Sequence, residues 1–152
     1  LGYEKLYDLS YYNLKYLSNL TSKSLQNIEI KQITFGEFQD GIQKWLNFHI
    51  NWQNDIDYIE KAESNTYYGA YINNDLKGSI CVSDNGKISL LFVDRKYRGI
   101  GLATCLLQTV SEELQLSSLS IGFPNNSSLE GFIKKSGFEK SSLAQYEMYL
   151  TL

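Results

Sequence analysis

Histidine is almost missing from this chain, cysteine is scarce, and no sign of charge dominates; each shortage removes a class of function. His49 is the only histidine among 152 residues. A zinc site or a histidine-based triad therefore begins almost without parts. The two cysteines, Cys81 and Cys105, lie among apolar residues with no metal-ligand spacing. One pair does not make a disulfide framework, so both read as buried reduced thiols, and no metal is expected. The formal net charge is −3, with lysine and arginine scattered. That pattern excludes the basic footprint of a nucleic-acid or anionic-membrane binder, and Lys134-Lys135 reads as a solvated helix face. No run approaches the ~18 apolar residues of a membrane span, and no signal peptide opens the chain. The cytoplasm is the expected location.

What is present is an ordinary globular composition, 43% hydrophobic and 20% charged, at a length suited to one well-buried domain. Twelve tyrosines and seven phenylalanines are a high aromatic load, expected in thick cores and half-buried strands before an aromatic-lined cleft.

From residue 27 the local signals follow one another. Ile28 to Ile33 predicts a strand. Thr34-Phe35-Gly36-Glu37 fits a capping box, opening a helix with Phe38, Ile42, Trp45, Leu46 and His49 on one stripe. A histidine on such a stripe is a core or rim residue before it is a catalytic base. Asp55 to Ala62 suggests a short second helix. Three strands follow, Tyr67 to Ile72, Leu76 to Ser83 and Ile88 to Val93. They are joined by Asn73-Asn74-Asp75 and Asp84-Asn85-Gly86, residues that accept the left-handed backbone of hairpin turns. The period then changes to 3.6, with Ala103, Leu106, Leu107, Val110 and Leu114 on one stripe. Leu119, Ile121 and Phe123 alternate as a strand. Ser127 to Glu130 offers another helix start, and Gly137 fits its left-handed stop with Phe138 just beyond. Ala144 to Leu150 closes as a strand. The expected architecture is a mixed α/β sandwich.

Chemistry concentrates between Val93 and Ala103. This stretch joins a strand to a helix start, where unpaired N–H groups and the positive dipole end favour an anion such as pyrophosphate. Gly99 and Gly101 let backbone approach closely, Ala103 keeps the next turn small, and Arg98 adds a charged donor. A dinucleotide fold would need a parallel βαβ unit, whereas the preceding strands read as hairpins. A nucleotide-triphosphate loop would need Gly-Lys-Ser/Thr, which is absent. A tight turn binding nothing is the bland alternative.

The surrounding residues resemble the GNAT superfamily of N-acetyltransferases. Arg98, Gly101 and Ala103 occupy the three defined positions of its coenzyme A signature, Gln/Arg-x-x-Gly-x-Gly/Ala. Asn126 followed by Phe132-Ile133-Lys134-Lys135-Ser136-Gly137-Phe138 is similar to its later motif, and the resemblance spans roughly Ile28 to Leu150. It implies a central, mostly antiparallel sheet with splayed parallel strands and flanking helices, and acetyl-CoA as co-substrate. The strand ending Leu91-Phe92-Val93 would bulge and splay from Leu119 to Phe123, its freed backbone pairing with pantetheine. Backbone of Arg98, Gly99, Ile100, Gly101, Leu102, Ala103 and Thr104 would hold the pyrophosphate, and Asn126 would contact the pantetheine arm or the following helix. An amine of a small molecule or peptide would attack the thioester directly, with a backbone N–H near Val93 stabilising the oxyanion.

Two departures bear on catalysis. Family members commonly carry a Tyr four residues before the motif's Gly, as general acid; here that position is Ile133. No Glu lies within Ile88 to Val93, where a general base often sits, and Asp94 reads as the cap of the following turn. Tyr146 is a candidate stand-in, but no catalytic side chain is assigned. The expected function is an acetyl-CoA-dependent N-acetyltransferase; the alternative is a non-catalytic or regulatory acyl-CoA-binding module.

The first residues carry an echo. Leu1-Gly2-Tyr3-Glu4-Lys5 is similar to Ser136-Gly137-Phe138-Glu139-Lys140, and the same offset puts Tyr11 on Tyr146. Either a Tyr- and Leu-rich stretch matches by coincidence, or residues 1–26 are the tail of a preceding domain and 27–152 the acyltransferase domain. Leu rather than Met at the start fits the second reading. A homodimer or tandem-domain contact is the corresponding partner expectation. A severed tail should be extended from Tyr3 to Asn13 and pair with a sheet edge. The rival is one amphipathic helix from Tyr3 to Leu20, since Leu6, Leu9, Asn13 and Tyr16 also suit a helical stripe.

Overall fold

Turn chemistry builds the first half of the sheet. Strand β2 (Ile28–Ile33), β3 (Asn65–Ile72), β4 (Asp75–Ser83) and β5 (Lys87–Val93) form an antiparallel meander. Asn73 and Asn74 both take positive φ, 51° and 69°, as a two-residue hairpin with the sheet's twist demands. At the next turn only glycine fits. A Cβ on Gly86 would stand 2.2 Å from the Ser118 carbonyl oxygen, and the Ser120 N–H donates to the Gly86 carbonyl at 2.9 Å. The computed structural model describes residues 3–20, 27–43, 64–124, 127–141 and 145–150.

Helices flank both faces. Helix α1 (Phe35–Gln43) starts where Thr34 Oγ1 accepts from the Glu37 N–H, and it buries Phe38 and Ile42 against Ile33, Cys81 and Leu90. Helices α2 (Leu102–Glu113) and α3 (Ser127–Lys135) cover the other face. There Leu102, Leu106, Leu107, Val110 and Ile133 meet Ile80, Val82, Ile88 and Ile121 in the larger core. Gly137, at φ 95°, stops α3: its N–H donates to Lys134 O, and the Phe138 N–H donates to Ile133 O. That is the expected left-handed stop, and Phe138 is buried.

The amino terminus is extended. Strand β1 (Tyr3–Leu14) pairs antiparallel with β6 (Leu119–Pro124) along one side. Along its other side lie β7 (Glu139–Lys140) and β8 (Gln145–Leu150), end to end. The rival helical reading of Tyr3 to Leu20 is thereby excluded. The segment also differs from the expected edge pairing: it sits inside the sheet, flanked on both sides, with Tyr12 and Leu14 buried in the larger core. Leu20 follows them inward, and Gln108 Nε2 of α2 donates to its carbonyl at 2.6 Å. Among the described residues the strands make one eight-stranded sheet, with β5 and β6 its parallel pair.

The expected helix from Asp55 to Ala62, and Trp45, Leu46 and His49 on the α1 stripe, lie outside the described residues.

Candidate active site

Alternation along the central strands sorts their side chains. Ile88, Leu91 and Val93 of β5 join the α2 side, while Leu90 packs on the α1 side. On β6, Leu119 and Ile121 face the α2 side, leaving Ser120 and Gly122 for the α1 side.

Between β5 and β6 the sheet opens. The parallel ladder consists of Lys87↔Ser120 and Ile88↔Ile121. Beyond Ile88 the two strands separate, so Leu90 to Val93 keep β4 as their only paired strand among the described residues. A bulge accompanies the separation. Cys81 faces Leu90 and Val82 faces Ile88, which leaves Ser89 as the extra residue. The resemblance implied a bulge in the strand ending Leu91-Phe92-Val93, and that strand carries it at Ser89. Exposure follows the opening: Leu91 and Phe92 are only half-buried although central in the sheet, and Gly122 is exposed.

The wedge leads to the loop before α2. The loop is pinned at its entry: Asp94 N–H donates to Lys77 O at 2.7 Å, and Asp94 Oδ1 accepts from the Lys96 N–H at 3.1 Å. Asp94 therefore caps the turn, as the sequence suggested. Arg98 Nε donates to the Val93 carbonyl at 3.1 Å, and its guanidinium lies 5.9 Å from the Phe92 ring centroid. This arginine ties the loop to the open end of β5.

Gly99 and Gly101 take φ 86° and 93°, and a Cβ on Gly99 would meet no atom within 4 Å. Gly101 is the N-cap of α2 and supplies no side-chain cap; the first turn carries no acidic residue. The helix's leading amides thus face outward with their positive dipole end uncontested. Ile100 is exposed, Ala103 and Thr104 are half-buried, and the Leu102 side chain belongs to the core, so only its backbone is offered. A pyrophosphate fits this place by charge and by clearance. Asn126 lies outside the described residues.

Ile133, at the family's usual acid position, is fully buried in the larger core. Nothing of the Tyr146 side chain is described. Two features escaped sequence reading. Ser79 Oγ is fully buried and lacks a hydrogen-bond partner among the described residues, on the β4 position opposite Phe92. Tyr11 of β1 covers Gly122 at the wedge. The echo had singled out Tyr11, but without its location.

A mixed sheet splayed at one parallel pair, with an uncapped glycine loop and helix at its mouth, defines an acyl-CoA acyltransferase fold. The family profile described as "Acetyltransferase (GNAT) domain" matches residues 35–152, and the chain belongs to this family. No curated protein matches the chain by sequence. Among solved structures it is similar to a conserved protein of unknown function from Staphylococcus epidermidis, at TM-score 0.73 and 13% identity, covering 99% of this chain and 64% of that one. A tandem GNAT protein from the clavulanic acid biosynthesis pathway gives 0.67 and 16%, covering 97% and 54%. An aminoglycoside antibiotic 6′-N-acetyltransferase from Acinetobacter baumannii gives 0.60 and 17%, covering 79% and 96%. At these identities the likeness is one of fold. The chain spans 52% to 64% of the length of the first three structures.

Proposed function

We propose that the domain binds acetyl-CoA and transfers its acetyl group to a primary amine of a small molecule or peptide. The observation that carries this is the wedge between β5 and β6 running into the uncapped start of α2. In this reading the amides from Arg98 to Thr104 and the dipole of α2 hold the pyrophosphate. The backbone of Leu91, Phe92 and Val93, on the side of β5 that faces the wedge, pairs with the pantetheine arm, and Asn126 contacts it or α3. An amine attacks the thioester carbon, an N–H near Val93 supports the oxyanion, and the thiolate leaves. Positioning supplies most of the effect.

A thiol near its ordinary pKa is a tolerable leaving group, so an acid at position 133 is not required. Thiol release from acetyl-CoA over a panel of primary amines tests the reading, and turnover with at least one amine is expected.

A second reading has its own observation. Ile133 is enclosed and no carboxylate lies on β5, which suits a non-catalytic acyl-CoA-binding module. Saturable CoA binding with no thiol release for any amine would favour it. Residues 1–26 as the tail of a preceding domain, packed into this one, fit the echo, the two-sided pairing of β1 and the likeness to a tandem protein. Neighbours that are acetyltransferases, and the lack among the described residues of a helix long and apolar enough to cross a membrane, accord with an enzyme working in the cytoplasm.

A further inference from the structure

Among the described residues, the α2 face of the wedge is closed to an amine. The α2 face is filled beside the opening: Ile80, Val82, Ile88, Leu102, Leu106, Leu107 and Ile121 are all within 4% of full burial. The acceptor must therefore come from the α1 face. The side chains on that face at the wedge decide what is admitted.

Tyr11 holds that position. It is paired with Gly122 across β1 and β6, and a Cβ on Gly122 would lie 2.6 Å from Tyr11 Cε1 and 2.7 Å from Cδ1. The Cδ1–Cε1 side of the ring therefore occupies the space beside Gly122, where any larger residue would displace it. Gly122 is the first β6 residue past the last ladder pair, Ile88↔Ile121, so the ring stands beside the apex of the wedge. Its neighbour Tyr12 turns the other way, fully buried with its hydroxyl on Glu130, whereas Tyr11 is half-exposed. The strand also lies outside residues 35–152, the part that matches the family profile.

We infer that Tyr11 is a specificity-determining wall of the acceptor site, supplied by the amino-terminal strand. This rests on the acyltransferase reading above. An arm extended from the α2 start enters the wedge past Val93 and points in the direction of the apex, so that the Tyr11 ring flanks the approach of the amine from the far end of the opening. The ring's flat face and polar edge favour a cationic acceptor or one with an apolar body.

The test needs no knowledge of the acceptor. Bromoacetyl-CoA carries an electrophilic carbon where acetyl-CoA carries its methyl group. In Tyr11→Cys, combined with Cys105→Ser, the new thiolate attacks that carbon; a C–S bond forms, the C–Br bond breaks and bromide leaves. Cys81 is a silent background, being fully buried with its thiol pushed up to about 12 by burial. The comparison is Tyr16→Cys in the same background, a position 69% exposed and beyond the end of β1. The Tyr11→Cys protein should label roughly a hundredfold or more faster than the Tyr16→Cys protein, because the reagent is held beside the substituted position. CoA should protect the first and leave the second unchanged. Equal labelling of the two positions, unprotected by CoA, overturns the inference while CoA still raises the melting temperature. If CoA gives no such rise, the acyltransferase reading itself falls, and this inference with it. Should Tyr11→Cys fail to fold, Tyr11→Phe and Tyr11→Leu serve. Any amine found to turn over should show a raised KM in the leucine variant with an unchanged KM for acetyl-CoA. An unchanged amine KM overturns the inference.

Discussion

The Tyr12 hydroxyl, on the amino-terminal strand, donates to Glu130 Oε1 of α3 at 2.9 Å. The two residues lie 118 positions apart, and the bond closes the inserted strand onto the helix that bounds the larger core. Glu130 also pairs with Lys134 at 2.9 Å, so the carboxylate serves both. Tyr12→Phe should keep the packing and lose the bond, for about 1–2 kcal/mol of stability by chemical denaturation. Tyr12→Ala should cost about 3–5 kcal/mol, since the ring fills the core. A tyrosine loosely laid on the surface would give neither.

Residues 27–152 expressed alone should not fold cooperatively. Without β1, the Leu9-to-Leu14 side of β6 loses its partner, and Tyr12, Leu14, Leu17 and Leu20 leave the core. A peptide spanning 1–20, added in trans, should restore a sharp thermal transition by pairing with the vacated edges. A well-folded 27–152 would show β1 to be an accessory.

Ser79→Ala should be neutral or stabilising by up to about 1–2 kcal/mol, because the buried hydroxyl has no partner to lose. A clear loss of stability would mean that the hydroxyl is satisfied in solution.

Alkaline pH should weaken the fold. Burial pushes the Tyr68 hydroxyl, also bonded to Glu113, up to about 12 from 10.0, and the Cys81 thiol up to about 12 from 9.0. In both cases the unfolded chain releases the proton first, so this stability is present below pH 9 and is lost between there and about 12. Tyr68→Phe should flatten the upper part of that decline in denaturation midpoints. At pH 8 a thiol reagent should modify half-buried Cys105 promptly and Cys81 only on unfolding.

Much of this was legible in sequence because it is local. Asn73-Asn74, Gly86 and Gly137 announce positive-φ turns, and their neighbours alternate or recur with the right period. The glycine loop and its uncapped helix start follow from residues within one short stretch, Arg98 to Thr104. What was not legible is non-local. Leu6, Leu9, Asn13 and Tyr16 fit a helix as well as a strand, and only pairing with β6 and β8 decides between them. The ring of Tyr11 on Gly122, the bulge at Ser89 and the orphan hydroxyl of Ser79 all depend on which strand lies alongside. No window of sequence carries that information.

The most direct measurement is the thermal shift produced by CoA in the parent, in Gly101→Val and in Gly137→Ala. Gly101 and Gly137 both hold positive φ, so each substitution strains the backbone and lowers the starting stability by about 1–3 kcal/mol. Only Gly101 lies at the α2 start. At 100 times the dissociation constant, CoA should stabilise the parent and Gly137→Ala by about 2.7 kcal/mol, a shift on the order of 5–10 °C. Gly101→Val should lose most of that shift. An equal CoA shift in all three proteins, or none in the parent, would contradict the placement of the acyl-CoA site.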